Sequence, residues 1–231
     1  MSLPVILVIP AYKPSEYIME MAAALSCAFE KIIVIDDGSG EMFKQTFEGL
    51  KENGTEVLVH HYNCGKGFAL KAGFQYIIEN YPNHNVLTAD ADGQHRIDDI
   101  LKIAKAVKNS DRALVLGCRD LKGAPWRNRL GNSCAKNILR FLTGHSVMDT
   151  QTGLRAIPAC MLPELVCYPE MGYDFEMHML MSAVMQQYKI IEIGIATVYS
   201  PGQISHFSPV FDSLKIVSCA IREYFRNKFC R

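Results

Sequence analysis

The sequence predicts an α/β protein with a mostly parallel central sheet and helices on both faces. Short apolar runs alternate with helical periodicities through the first half of the chain, the pattern of a parallel sheet covered on both sides. Nearly every apolar run ends in a polar, often glycine-bearing cluster. The length, 231 residues with 49% hydrophobic and 21% charged residues, suits one domain with a sizeable core.

Residues 5–9 (Val-Ile-Leu-Val-Ile) form a buried-strand run stopped by Pro10. Ser15 is placed to cap a helix running to about residue 29. Residues 31–35 read as a second strand and 41–52 as a second helix, ending before Asn53-Gly54. A third strand spans 57–60 and a helix follows over about 67–81. Residues 86–89 give the fourth strand, 97–108 the next helix and 113–117 the fifth strand. Beyond residue 120 the alternation changes. Residues 126–143 read as a basic helix carrying Arg127, Arg129, Lys136 and Arg140. A strand over 152–157, a helix over 174–187, an alternating strand over 190–199 and a polar loop to Pro209 follow. Residues 1–209 are expected as one catalytic-type domain, with a C-terminal helix over 210–231 that is part of it or appended to it.

In open α/β sheets, ligands bind outside the carboxyl ends of the strands. Five polar clusters fall there: Pro10-Ala11-Tyr12, Asp36-Asp37-Gly38-Ser39, Asn63-Cys64-Gly65-Lys66-Gly67, Asp90-Ala91-Asp92-Gly93-Gln94, and Arg119-Asp120. One such loop is ordinary turn chemistry; five on one edge make a site. The fourth is the most informative. Side chains at i and i+2 of an extended segment point the same way, so Asp90 and Asp92 aim at one point beyond the strand end. Two hard oxygen ligands there suit Mg²⁺ or Mn²⁺ bridging to a substrate phosphate. Alone, the pair reads equally well as turn and cap aspartates. Asp36 and Asp37 can accept hydrogen bonds from a base or ribose.

Other classes are disfavoured. Formal net charge is zero, which gives no global electrostatic case for nucleic acid. The eight cysteines are scattered with no Cys-x-x-Cys spacing, which disfavours a zinc site and is expected of reduced thiols. No apolar stretch approaches the ~20 residues of a membrane span. No Gly-x-Gly-x-x-Gly follows the first strand, and Gly65-Lys66-Gly67 lacks the upstream glycine and Ser/Thr of a P-loop.

Residues 9–12 (Ile-Pro-Ala-Tyr), 34–39 (Val-Ile-Asp-Asp-Gly-Ser), 65–67 and 89–95 (Ala-Asp-Ala-Asp-Gly-Gln-His) resemble the motif series of family 2 glycosyltransferases with the GT-A fold. Residues 149–155 (Asp-Thr-Gln-Thr-Gly-Leu-Arg) and 205–207 (Ser-His-Phe) extend the likeness over nearly the whole chain. It is greatest to the dolichyl-phosphate mannose synthase-like branch, which moves a sugar from a nucleotide diphosphate to a polyprenyl phosphate. The resemblance implies that Pro10, Ala11 and Tyr12 line the nucleoside pocket, with Asp36 or Asp37 reading base or ribose. It places Lys66 near the donor, and Asp90, Ala91, Asp92 and Gln94 around the diphosphate. Asp90, Asp92 and Gln94 would hold Mg²⁺ or Mn²⁺. Two departures stand out: Lys13-Pro14 replaces the family's usual Asn-Glu, and Ser205-His206 replaces a Ser-Lys pair. The histidine would make phosphate binding pH-dependent near neutrality.

Charge then suggests the mechanism. Metal held by Asp92 and Asp90 stabilises the departing nucleoside diphosphate. A phosphate monoester acceptor is largely dianionic at neutral pH, with a second pKa of roughly 6, and needs cations instead of a base. Arg119, Arg127, Arg129 and Arg155, with Ser205 and His206, are the candidates to hold it. A hydroxyl acceptor would require a base, for which Asp174 and Glu176 stand at a helix start. Asp92, Arg119, Arg129 and Glu176 are thus the expected catalytic set. Direct displacement inverts the anomeric centre.

Toward the C-terminus, Val210, Leu214, Val217, Ile221, Tyr224 and Phe225 recur at helical spacing, with Arg222, Arg226, Lys228 and Arg231 around Glu223. Such a helix suits an anionic membrane surface, or packing on its own domain or a second copy. The expected protein is cytoplasmic and peripheral at the membrane's inner face; the end at Arg231 fits either that form or a shortened one. The rival readings are transfer to a saccharide or glycolipid hydroxyl, a nucleotidyltransferase, and a non-catalytic nucleotide-sugar sensor or scaffold.

Overall fold

The computed structural model describes residues 3–107, 112–120, 126–196 and 209–229. A seven-stranded sheet forms the centre: β1 (Leu3–Ala11), β2 (Phe29–Asp36), β3 (Glu56–Val59), β4 (Asn85–Thr88), β5 (Ala113–Arg119), β6 (Arg155–Ile157) and β7 (Lys189–Ile195). Their order is β3-β2-β1-β4-β6-β5-β7. Among the described residues only β6 is antiparallel; it pairs Thr88 with Arg155 on one side and Leu116 with Arg155 on the other. The helices are α1 (Tyr17–Leu25), α2 (Lys44–Glu52), α3 (Lys66–Asn80), α4 (Ile97–Ala106), α5 (Trp126–Thr143), α6 (Leu162–Leu165), α7 (Asp174–Met185) and α8 (Pro209–Phe229).

The alternation of β1 divides the core. Ile6 and Val8 face Phe74 of α3, Leu139 of α5 and Phe175 of α7. Val5, Leu7 and Ile9 face Ile18 of α1, Leu50 of α2 and Ile103 of α4. Both faces of the strand are buried because helices cover both, and an unbroken Val/Ile/Leu run follows from that.

Several expected details differ. Ser15 caps nothing: α1 starts at Tyr17 and its N-cap residue, Glu16, makes no side-chain cap bond. The helix also ends at Leu25, because β2 begins at Phe29. The expected second helix opens as a 3-10 turn over Glu41–Phe43. The strand expected over 152–157 contracts to three residues, since the segment before it turns across the sheet edge. Residues 197–199 of the expected last strand lie outside the described residues.

The short β6 matters for function. Running antiparallel between β4 and β5, it brings its own amino end to the carboxyl edge of its neighbours. The 149–154 segment thereby reaches the tips of β4 and β5. α8 packs on α7 and α5 through Ile216, Cys219, Ala220 and Glu223, all buried. Arg222 and Arg226, part of the basic end read from the sequence, pair with Glu170 and Glu223. Ile221 and Phe225 stay exposed. Among the described residues, no helix is long and apolar enough to cross a membrane.

Candidate active site

Lys66, at the first position of α3, joins the two halves of the site. Its Nζ lies 2.6 Å from Asp90 Oδ1, just past β4, and 2.8 Å from Glu176 Oε1 on the first turn of α7. The flanking glycines permit this approach. Gly65 has φ +97°, and a Cβ there would sit 2.6 Å from the Met171 carbonyl oxygen; one on Gly67 would sit 2.8 Å from Phe175 Cβ. Burial works to lower the Lys66 pKa, but the Asp90 and Glu176 carboxylates outweigh it and hold the ammonium above its ordinary value. Burial works to raise the Asp90 carboxyl, and Lys66 and the His95 ring reverse that, holding it well below the usual carboxylate range.

Asp90 is confined on its other side too. Its Oδ2 lies 3.5 Å from His95 Nε2. Gly153 leaves room for the carboxylate: a Cβ there would stand 2.2 Å from Oδ2. Thr88 Oγ1 donates to the Gly153 carbonyl at 2.7 Å and fixes that backbone against β4. Asp92 is exposed, and its Oδ1 accepts a hydrogen bond from Gln94 N at 3.0 Å. Partial desolvation of its carboxyl end, although the residue as a whole is exposed, and then the Asp90 charge push its pKa up. The Asp90 and Asp92 carboxylates are hard oxygen donors of the kind that suits Mg²⁺ or Mn²⁺. Asp92 and Gln94 are the more open donors; Asp90 would have to share its oxygens with Lys66.

The two aspartates after β2 separate into different roles. Asp37 is buried, its Oδ1 accepting from Cys64 N at 3.1 Å and its Oδ2 from Gly65 N at 2.8 Å. His60 Nδ1 adds a contact at 2.9 Å. Asp37 therefore builds the turn that carries Lys66, while Asp36 uses Oδ1 to accept from Ser39 N at 2.8 Å. Asp36 closes β2 at the carboxyl edge of the sheet. Pro10 and Ala11 end β1 beside it, and Tyr12 follows. Lys13, at φ 49°, donates its N–H to Ser39 Oγ at 2.8 Å, which ties this loop to the next.

Arg119, at the tip of β5, forms a two-pronged pair with buried Asp149: Nε to Oδ2 at 2.7 Å and Nη2 to Oδ1 at 3.2 Å. Asp149 was not singled out for this role in the sequence; its 30-residue separation from Arg119 hides the pair. Arg155 requires a correction. It is 1% exposed, and its guanidinium donates to the carbonyls of Thr152 at 2.8 Å, Glu176 at 2.6 Å and Thr150 at 2.8 Å. Those bonds hold the 149–154 segment against α7, so Arg155 is a scaffold and not an acceptor ligand. Arg129 is exposed on the first turn of α5. The Arg127 side chain, Ser205 and His206 lie outside the described residues.

Comparison with known proteins agrees with this architecture. Residues 6–162 match the family model for glycosyl transferase family 2. A UDP-N-acetylglucosamine–dolichyl-phosphate N-acetylglucosaminyltransferase of Methanococcus voltae is 29% identical over 91% of this chain and 92% of its own. A dolichyl-phosphate beta-glucosyltransferase of Trichomonas vaginalis is 29% identical over 64% of this chain and 51% of its own. Among solved structures, glucosyl-3-phosphoglycerate synthase from Mycobacterium tuberculosis, in complex with Mn²⁺, UDP-glucose and phosphoglyceric acid, superposes with a TM-score of 0.70. That likeness spans 96% of this chain and 79% of the synthase at 16% identity, and it establishes the shared GT-A fold. The chain belongs to glycosyl transferase family 2 and is a glycosyltransferase.

Proposed function

We propose that the protein transfers a sugar from a UDP- or GDP-sugar to a polyprenyl phosphate, using Mg²⁺ or Mn²⁺, with inversion at the anomeric carbon. The observation that carries this reading is the convergence of Lys66, Asp90 and Glu176 beside Asp92 at the carboxyl edge of the sheet. The dolichyl-phosphate sugar transferases among its relatives support the acceptor class.

Asp36, with Pro10, Ala11 and Tyr12, receives the nucleoside. Asp92, Gln94 and Asp90 face the diphosphate. These residues would hold a divalent cation, which would supply positive charge against the negative charge left on the departing nucleoside diphosphate. An acceptor phosphate oxygen attacks the anomeric carbon from the opposite side as the carbon–oxygen bond to the diphosphate breaks. The dianionic acceptor carries no proton that must leave, so positioning and cationic charge suffice. Arg129, exposed on α5, can supply that charge, while Arg119 and Lys66, already paired with Asp149 and with Asp90 and Glu176, hold the site in shape.

A hydroxyl acceptor would need a general base. Glu176 is the carboxylate at hand, but its Oε1 is already engaged by the Lys66 ammonium at 2.8 Å. That favours the phosphate. Lipid-linked acceptor places the enzyme at the cytoplasmic membrane face as a peripheral protein, with exposed Ile221 and Phe225 of α8 as available apolar contacts. A panel of UDP- and GDP-sugars, each offered a short polyprenyl phosphate or a saccharide, tests the assignment through nucleoside diphosphate release. Lipid-phosphate-dependent release is expected with one donor; release stimulated only by the saccharide would overturn it.

A further inference from the structure

A second cluster of ionisable groups lies where α8 crosses α7, away from the donor site. His178 stands two residues beyond Glu176, which puts the two side chains on opposite sides of α7. Glu176 faces Lys66, while His178 is fully buried against α8. Glu170, His178 and Cys219 each present one donor atom, and the three atoms lie within 4.8 Å of one another. All three residues are buried, none more than 3% exposed.

The orientation of each group is specific. Arg222 Nη2 occupies Glu170 Oε1 at 2.7 Å. Glu170 Oε2 points inward; it is buried and makes no hydrogen bond, although His178 Nδ1 is 2.9 Å away. Cys219 Sγ lies 3.9 Å from the same Nδ1. The opposite ring nitrogen, Nε2, lies 3.2 Å from Glu223 Oε2, and Arg226 pairs with that carboxylate at 2.7 Å. A thiol, an imidazole nitrogen and a carboxylate oxygen thus converge, while a second carboxylate backs the far side of the ring. Ligand atoms around a tetrahedral ion stand roughly 3–4 Å apart, given bond lengths of roughly 2.0–2.3 Å. A metal-bound histidine commonly donates its other N–H to a carboxylate, as His178 is placed to do toward Glu223.

We propose that Glu170 Oε2, His178 Nδ1 and Cys219 Sγ form a binding site for a zinc-class divalent ion that fastens α8 to α7, with Glu223 as its outer carboxylate. The nitrogen, sulfur and oxygen donor set selects a borderline ion, unlike the all-oxygen set at Asp90, Asp92 and Gln94. On binding, the Cys219 thiol releases its proton to solvent, the thiolate bonds the ion, and His178 keeps a single proton on Nε2. The Asp37, His60 and Cys64 group brings similar atoms together. There, however, both Asp37 oxygens already accept backbone hydrogen bonds, so that cluster is explained as a turn.

Cobalt(II) titration of the full chain, reduced and freed of metal, tests the site. Thiolate ligation gives Co²⁺ an intense sulfur-to-metal charge-transfer band that an all-oxygen site cannot produce. The wild-type protein and Asp92→Asn should each develop the band to one equivalent, and Zn²⁺ should bleach it. Cys219→Ser should lose the band, His178→Gln should lose or weaken it at least tenfold in Co²⁺ affinity, and Cys64→Ser should keep it. Absence of the band in the wild type, or its persistence in a folded Cys219→Ser, would overturn the proposal. If either variant fails to fold, the wild-type titration and the other variant still decide.

Discussion

Gly153→Ala isolates the geometry of Asp90 from its charge. The added Cβ would stand 2.2 Å from Asp90 Oδ2 and 2.6 Å from its Cγ. Non-bonded carbon contacts settle near roughly 3.5 Å, so something must retreat by about 1 Å. The Gly153 backbone is held by the 2.7 Å bond from Thr88 Oγ1, on a residue paired with Arg155 in the sheet. The carboxylate is therefore what moves, retreating from position 153 and disturbing its contacts with Lys66 and His95. A displacement of about 1 Å at a reacting group costs on the order of 10²-fold in rate, or about 2.7 kcal/mol. Fold stability should change by about 1 kcal/mol or less, because a side-chain end yields and not backbone. Steady-state nucleoside diphosphate release across donor and metal concentrations, paired with thermal unfolding, reads both numbers. Gly194→Ala is the control, since a Cβ there meets nothing within 4 Å. A folded Gly153→Ala protein with wild-type kcat/KM would refute the argument that Asp90 must sit where it does.

Lys66→Met leaves Asp90 and Glu176 facing each other without their cation and should destabilise the fold by about 3–5 kcal/mol. Asp90 is depressed in the fold, so its contribution is present above the ordinary carboxyl value of 3.8 and lost as pH falls. Lys66 is raised, so its contribution is present below 10.5 and lost as pH climbs through the folded-state value. Urea unfolding across pH should show the gap between wild type and Lys66→Met widest between those limits and narrower outside them. Asp37→Ala frees the Cys64 and Gly65 amides and should cost about 3 kcal/mol in chemical denaturation, with weaker donor binding as the Lys66 turn loosens. Arg155→Lys should lose about 2–4 kcal/mol of stability by the same measurement while the acceptor KM of the folded enzyme stays near wild type.

How far the site was legible depends on the range of the contacts. β1, β2, β4 and β5 were readable because strands buried on both faces need unbroken apolar runs, and the polar clusters at their ends were readable for the same reason. Asp90 and Asp92 declared themselves through their two-residue spacing. β6 declared little: three residues carry no periodicity, and its reversed direction is set by neighbours far away in sequence. That is why Arg155 looked like an acceptor cation when its charge is spent on three carbonyl oxygens. Asp149 and Arg119, Lys66 and Glu176, and His178 between Glu170 and Glu223 are all partnerships between distant elements. Residue type in a motif names candidates; only the packing of α3 against α7, or β6 between β4 and β5, tells which ones meet.

The central claim is that the carboxylates after β4 support donor cleavage through a divalent cation, and turnover with metal removed and restored tests it directly. Wild-type enzyme with its donor and polyprenyl phosphate should lose nucleoside diphosphate release in chelator and regain it on adding Mg²⁺ or Mn²⁺. Asp92→Asn, shown folded by circular dichroism, should remain at least about 10²-fold slower at every metal concentration. Full turnover by the wild type in chelator, or by Asp92→Asn with metal, would contradict the account.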